Sequence, residues 1–187
     1  MFRPLVTVSA AAALLFSFSP IHIEAAKAQD AATPIVVLET EGGDIEIETF
    51  PDEAPISVAH FVALAKKGFY RGQRFHWVQP ALVQAGDPNS RDITKQKLWG
   101  TGGSGPGRSN KPLGVAEFST RKFVRGIVGL AYRLEWKAET ADSMFFILRG
   151  DNPALNGKYV ALGKVIKGIN IVDKVAMNDI IKNVTVR

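Results

Sequence analysis

Cysteine is absent from the 187-residue chain, and histidine occurs only three times, as His22, His60 and His76. The first absence excludes disulfide frameworks, thiolate zinc sites and cysteine nucleophiles. The second leaves no histidine pair spaced to share one helix face, so no metal centre or other cofactor is expected. Charge of neither sign dominates, with 23 basic residues against 18 acidic ones and a net charge of +5. The basic residues are scattered along the chain, which reads as a solvated surface and not as a nucleic-acid face. Apolar residues at 46% and charged residues at 22% are ordinary globular values and exclude a disordered or collagen-like chain.

Long apolar runs are scarce too. The run Leu5–Ser19 follows a positively charged start, Met1-Phe2-Arg3. It is shorter than the ~20 apolar residues a spanning helix needs and has the length of a signal-peptide core. Ala26-Lys27-Ala28 offers small residues at the two positions a signal peptidase inspects, which places cleavage before Gln29. Residues 1–28 are therefore expected to be a signal peptide. Residues 29–187 would form one domain, exported across a bacterial inner membrane to the periplasm, with no stable membrane insertion after cleavage. A chain of that size buries roughly 70% of its unfolded surface, enough for a core without crosslinks.

What is present begins with a hairpin. Ile35–Thr40 and Ile45–Thr49 are β-rich runs joined across Gly42-Gly43, a dipeptide suited to a tight turn. Pairing about that turn predicts Thr40 opposite Ile45, Leu38 opposite Ile47 and Val36 opposite Thr49, with Glu39 against Glu46 on the solvated face. Pro51 and Pro55 break the strand and open a helix. Val58, Phe61, Val62 and Ala65 fall at i, i+3, i+4 and i+7, one face of that helix. Lys66, Lys67 and Gly68 mark its end. His60 lies off the apolar face and reads as a structural or surface histidine.

Further strands are predicted at Arg74–Val78, Leu82–Ala85, Ile127–Tyr132, Met144–Leu148, Tyr159–Val165 and Lys182–Val186, and a second helix at Ile169–Met177. The pattern predicts a mainly β domain, a closed antiparallel sheet with helices over its ends. The run Gly100-Thr101-Gly102-Gly103-Ser104-Gly105-Pro106-Gly107 invites a phosphate-loop reading. No helical periodicity follows it and the Gly-Lys-Ser/Thr ending is missing, so a long glycine-rich surface loop is expected instead.

Several segments together resemble the cyclophilin family of peptidyl-prolyl isomerases. They are Ala54-Pro55-Ile56-Ser57-Val58-Ala59-His60-Phe61, Gly68-Phe69-Tyr70, Phe75-His76, Gln84-Ala85-Gly86-Asp87-Pro88 and Gly100-Thr101-Gly102-Gly103. They continue with Ala116-Glu117-Phe118, Gly126-Ile127-Val128-Gly129-Leu130-Ala131, Ser143-Met144-Phe145-Phe146-Ile147 and the run from Leu155 to Val165. They occur in family order over about Ile35 to Val186. The resemblance implies a closed eight-stranded antiparallel β-barrel capped by two α-helices. It also implies catalysis of rotation about the bond preceding proline, in unfolded or extended polypeptides, by a monomer.

That reaction needs neither cofactor nor nucleophile. It needs an apolar cup for the proline ring, donors for the carbonyls, and a fixed cation beside the proline nitrogen. The resemblance places the family's catalytic arginine at Trp77. It maps the aromatic floor of the cup onto Phe146, a pocket leucine onto Leu155, and a catalytic glutamine onto Gln84. Between Pro80 and Gln84 the chain is one residue shorter than the family pattern, so a pocket Phe-Met pair becomes Leu82-Val83. A second glutamine is Met144, a tryptophan is Ala154, and a histidine is Tyr159, which keeps a hydroxyl donor. Ala131, Tyr132 and Arg133 lie in the segment that borders the groove in the family, where Arg133 either reaches inward to stand in for the missing arginine or is a solvated loop residue. Arg74, three residues before Trp77, points to the opposite face of an extended strand.

Indole offers one neutral N–H where guanidinium offers five donors and a permanent charge. Trp77 is placed either to stack on proline or to fill the groove. Three readings follow: an isomerase of reduced efficiency, a non-catalytic binder of proline-containing segments, and a structural barrel whose groove is closed by Trp77.

Overall fold

The structure, a computed structural model, describes residues 33–132 and 137–187. The expected signal peptide, residues 1–28, lies outside these residues, and so does Arg133. Strand β1 (Ile35–Thr40) turns into β2 (Gly43–Thr49), and helix α1 (Pro55–Lys66) follows. Next come β3 (Trp77–Val78), β4 (Leu82–Ala85), β5 (Ile127–Leu130) and β6 (Phe145–Leu148). The chain ends with β7 (Ala161–Lys167), α2 (Ile169–Lys174) and β8 (Ile181–Val186). All ladders are antiparallel, in the order β3-β4-β6-β5-β7-β2-β1-β8.

This order corrects the closed barrel expected from the sequence. Strands β3 and β8 are the two ends of an open, half-barrel sheet. The seam between them carries one isolated bridge, Arg74 to Ile180, flanked by Gly72 N–H to Ile181 O at 2.7 Å and Phe75 N–H to Asp179 O at 2.9 Å. Strand β3 is two residues long because the chain leaves Gln73, Arg74 and Phe75 on that seam before His76 N–H joins Gln84 O on β4 at 3.0 Å. Helix α2 stops at Lys174, short of Met177, where Val175 takes an extended conformation.

The hairpin register also differs from expectation, by two residues. Thr40 faces Gly43, Leu38 faces Ile45 and Val36 faces Ile47. The turn therefore sits on Glu41-Gly42. The Thr40 hydroxyl braces it, donating to Gly43 O at 2.7 Å and accepting from Gly42 N–H at 3.2 Å. A shift of two leaves every side chain on its predicted face. Glu46 no longer meets Glu39. It faces Val37 and is held by Lys167 at 2.9 Å and by Arg187.

The core lies between the sheet and the apolar face of α1. Val58, Phe61, Val62 and Ala65 are buried as the spacing predicts, joined by Ser57 and Leu64. Phe61, Tyr70 and Phe145 meet with ring centroids 5.4–5.5 Å apart. Each such ring contributes roughly 1.5–3 kcal/mol through burial.

The glycine-rich loop is not a plain surface loop. Gly102 and Gly103 are buried, and the loop wraps two of the protein's own carboxylates. Asp87 Oδ2 accepts from the N–H groups of Gly100, Thr101 and Gly102. Asp142 accepts from Ser104 N–H at 2.7 Å, Ser104 Oγ–H at 2.6 Å and Lys111 N–H at 2.8 Å, with His60 Nε2 at 3.0 Å. A side chain at residue 102 would begin 2.3 Å from Asp87 Oδ1, so the loop is glycine-rich where it closes on an internal anion.

Candidate functional site

Strands β4, β5 and β6 carry apolar residues on both faces. Val83, Ala85, Val128, Leu130, Phe145 and Ile147 pack into the main core. Alternation sends Leu82, Gln84, Ile127, Gly129, Phe146 and Leu148 to the other side. There Phe146, Ile127 and Leu148 join Phe123, Ala131 and Ala161 in a second cluster, edged by the half-buried Phe50, Leu82, Met144, Leu155 and Tyr159.

Register lines the candidate residues up across the sheet. Trp77 on β3 faces Gln84 on β4, Gln84 faces Phe146 on β6, Phe146 faces Gly129 on β5, and Gly129 faces Ala161 on β7. Phe146 is the floor, 3% exposed. Tyr159 stands edge-on to it at 5.4 Å between centroids, and Phe123 lies on it at 6.1 Å. Tyr132 stacks on Tyr159 at 4.7 Å, and its hydroxyl donates to Lys158 O at 2.6 Å. Leu155 reaches the cluster from the 3₁₀ turn Pro153–Leu155.

Trp77 is 48% exposed, and the rings packed on Phe146 are those of Phe123 and Tyr159. The indole therefore stands beside the floor and does not form its lid. Beside it, Gln84 Nε2 lies 3.3 Å from His76 Nε2 and 3.8 Å from Met144 Sδ. Arg74 turns away, donating to Asn178 O at 2.9 Å.

One expected pocket residue is misplaced. Val83 is wholly buried on the core face, paired with Val78 and Ile147. Where the chain is one residue short, only one of Leu82 and Val83 can face outward, and the ladder from Gln84 makes it Leu82. Ala154 is exposed. Sequence reading gave His76 no role, yet it is 6% exposed and touches Gln84. A single buried histidine leaves no periodic signal.

The site is neutral in character. Burial raises the Tyr159 hydroxyl above its ordinary range, and the neighbouring Tyr132 adds to this. Burial likewise raises Tyr132, with help from Glu139. Burial lowers His76, against the opposing pull of Asp87 and the Arg74 backbone. Each of these groups is uncharged at neutral pH. The arrangement can enclose an apolar ring beside the Tyr159 hydroxyl and the Gln84 amide.

Residues 35–186 match the sequence pattern of the cyclophilin type peptidyl-prolyl cis-trans isomerases. The chain belongs to this family. A probable peptidyl-prolyl cis-trans isomerase of Brucella abortus is 38% identical over 175 residues, covering 89% of this chain and 87% of the relative. Peptidyl-prolyl cis-trans isomerase B of Bacillus subtilis is 35% identical, covering 78% of this chain and 92% of its own. Among solved structures, a cyclophilin of Cryptosporidium parvum, crystallised in the presence of the dipeptide Ala-Pro, superposes with a TM-score of 0.68. It shares 28% identity, and the match covers 82% of this chain and 98% of that one. In this cyclophilin no helix among the described residues is long and apolar enough to cross a membrane.

Proposed function

We propose that this cyclophilin accelerates rotation about Xaa-Pro bonds in extended segments of exported polypeptides, assisting their folding, at reduced efficiency and as a monomer. The barrier to be lowered is ~18–20 kcal/mol, because the C–N bond is partly double. The observation that carries the reading is the Phe146 floor with Leu82, Met144, Leu155 and Tyr159 around it and the Gln84 amide at its edge. An apolar enclosure favours the twisted amide, whose charge separation is smaller than that of either planar form. The related cyclophilin crystallised with Ala-Pro supports a proline-containing peptide as the occupant, and the Leu5–Ser19 run supports export.

The reduced efficiency follows from Trp77. Losing one preorganised donor in a catalytic site commonly costs ~10²–10³ in rate, and the indole supplies a single neutral N–H at the place where the resemblance puts an arginine. A second reading, a proline-segment binder without catalysis, is favoured by the same residue. A half-exposed indole next to an apolar floor is a good platform for a proline ring and a poor cation.

NMR exchange spectroscopy on an Ala-Pro peptide decides between them, using the wild type and Trp77→Arg. Faster cis/trans exchange in the wild type supports the isomerase. Peptide shifts without added exchange give the binder reading. If neither protein perturbs the peptide, the groove is not a peptide site.

A further inference from the structure

The side-chain amide of Gln84 has neighbours of a single polarity. Its Nε2 atom lies 3.8 Å from Met144 Sδ and 3.3 Å from His76 Nε2. A thioether sulfur carries no hydrogen and only accepts. The amide atom turned toward it must therefore be the nitrogen, since the carbonyl oxygen would set lone pair against lone pair. That nitrogen then requires a lone pair on His76 Nε2, which puts the single hydrogen of the neutral ring on Nδ1. His76 is 6% exposed, and its Nδ1 is enclosed.

Both amide hydrogens of Gln84 are thus turned inward, onto sulfur and imidazole. Its carbonyl oxygen makes neither of these contacts. Among the described residues nothing donates to that oxygen, and it is not enclosed either, since the enclosed polar atoms without partners are those of Ser57, Gln73, Arg74, His76 and Asn178.

We infer that His76 and Met144 act together as positioning residues that turn the Gln84 carbonyl oxygen into the groove, so that the site takes a backbone N–H of the bound peptide. Proline has no N–H, so the donors flanking an Xaa-Pro bond are the N–H groups of the residues before and after proline, and we assign the one before it. The inference rests on the groove being the peptide site. It adds a specificity: the residue before proline must carry a free amide hydrogen.

The test has a ligand-free arm and a binding arm. Long-range ¹H–¹⁵N correlation NMR of the whole chain reports the His76 tautomer directly. A proton on Nδ1 is expected, and a proton on Nε2 overturns the assignment. For binding, acetyl-Ala-Pro-methylamide is titrated beside the same peptide with the alanine nitrogen methylated. Loss of one hydrogen bond should weaken the second peptide roughly 2- to 10-fold. In Gln84→Leu the two peptides should bind alike. Discrimination that survives in Gln84→Leu belongs to shape, and overturns the assignment. Equal binding of both peptides by the wild type overturns it as well. In Met144→Gln the new amide can donate to a flipped Gln84, and the discrimination should shrink; an unchanged ratio removes Met144 from the device. If neither peptide binds, the groove reading falls and takes the peptide N–H with it, while the tautomer still decides which way Gln84 is turned.

Discussion

The ring of Phe146 occupies the space that a side chain at Gly129 would need. A Cβ built on residue 129 would stand 2.2 Å from Phe146 Cζ and 2.7 Å from Cε1. The two residues face each other across the β5–β6 ladder, so a glycine on one strand lets the aromatic floor lie flat on the sheet. Gly129→Ala should therefore lift the ring and fill the hollow above it. Forcing a methyl into such packing typically costs ~1–3 kcal/mol. Urea denaturation should show that loss, together with weaker binding of an Ala-Pro peptide. Unchanged peptide binding would mean that the floor is not where proline sits.

Helix α1 is started from a distance. Its N-cap, Ala54, has no side-chain oxygen, and Pro55 removes one of the free N–H groups. The next two, on Ile56 and Ser57, donate to the Glu117 carboxylate at 3.0 and 2.7 Å. A carboxylate at a helix N-terminus also meets the positive end of the helix dipole. Replacing Glu117 by Ala should cost about 1 kcal/mol, within the ~0.5–2 kcal/mol range of lost N-caps, or ~2–4 °C in Tm for a chain of this size. Calorimetry checks this. A shift below half a degree would show that water replaces the carboxylate without loss.

The comparison of α1 with its cap shows what a single sequence discloses. The apolar positions of α1 repeat within a few residues, so their burial was legible. The cap was not, because Glu117 lies 60 residues further along the chain. The same contrast runs through the sheet. The faces of β1 and β2 were readable from alternation, while their register depended on the hydroxyl of Thr40, whose bracing role no periodicity reveals. Phe146, Leu155, Gln84, Leu82, Met144 and Tyr159 could be gathered by resemblance. Val83 was misplaced, because the chain is one residue short of the family pattern before Gln84, which left the phase of β4 open.

The groove should work equally well from about pH 7 to 9. Tyr132 and Tyr159 are raised above the ordinary tyrosine range by burial, so both remain protonated donors. His76 is lowered, again chiefly by burial, so it takes up a proton only below the ordinary histidine range of ~6.5. Peptide exchange or affinity measured at intervals across this window should be flat. Protonating His76 would remove the lone pair facing Gln84, so the first change should come on the acid side. A limb between pH 7 and 9 would implicate a titrating group outside this set.

Acid should loosen the glycine-rich loop through Asp142. Burial on its own pushes this carboxylate up. The bonds from His60, Ser104 and Lys111 outweigh that and hold it below the usual carboxylate range. The sign of the effect follows from the order of the two values. A pKa lower in the native state than in the unfolded chain stabilises the fold at all pH values above the unfolded one, near 3.9, and the contribution is lost as pH falls through the native value. Asp142→Asn removes the charge and leaves the Ser104 and Lys111 N–H groups with a weaker acceptor, a change worth ~1–3 kcal/mol at neutral pH. Urea denaturation of both proteins at pH 7 and near pH 2.5 should show a gap that is wide at pH 7 and narrow in acid. A gap of the same width at both values would mean that the carboxylate holds the loop by shape and not by charge.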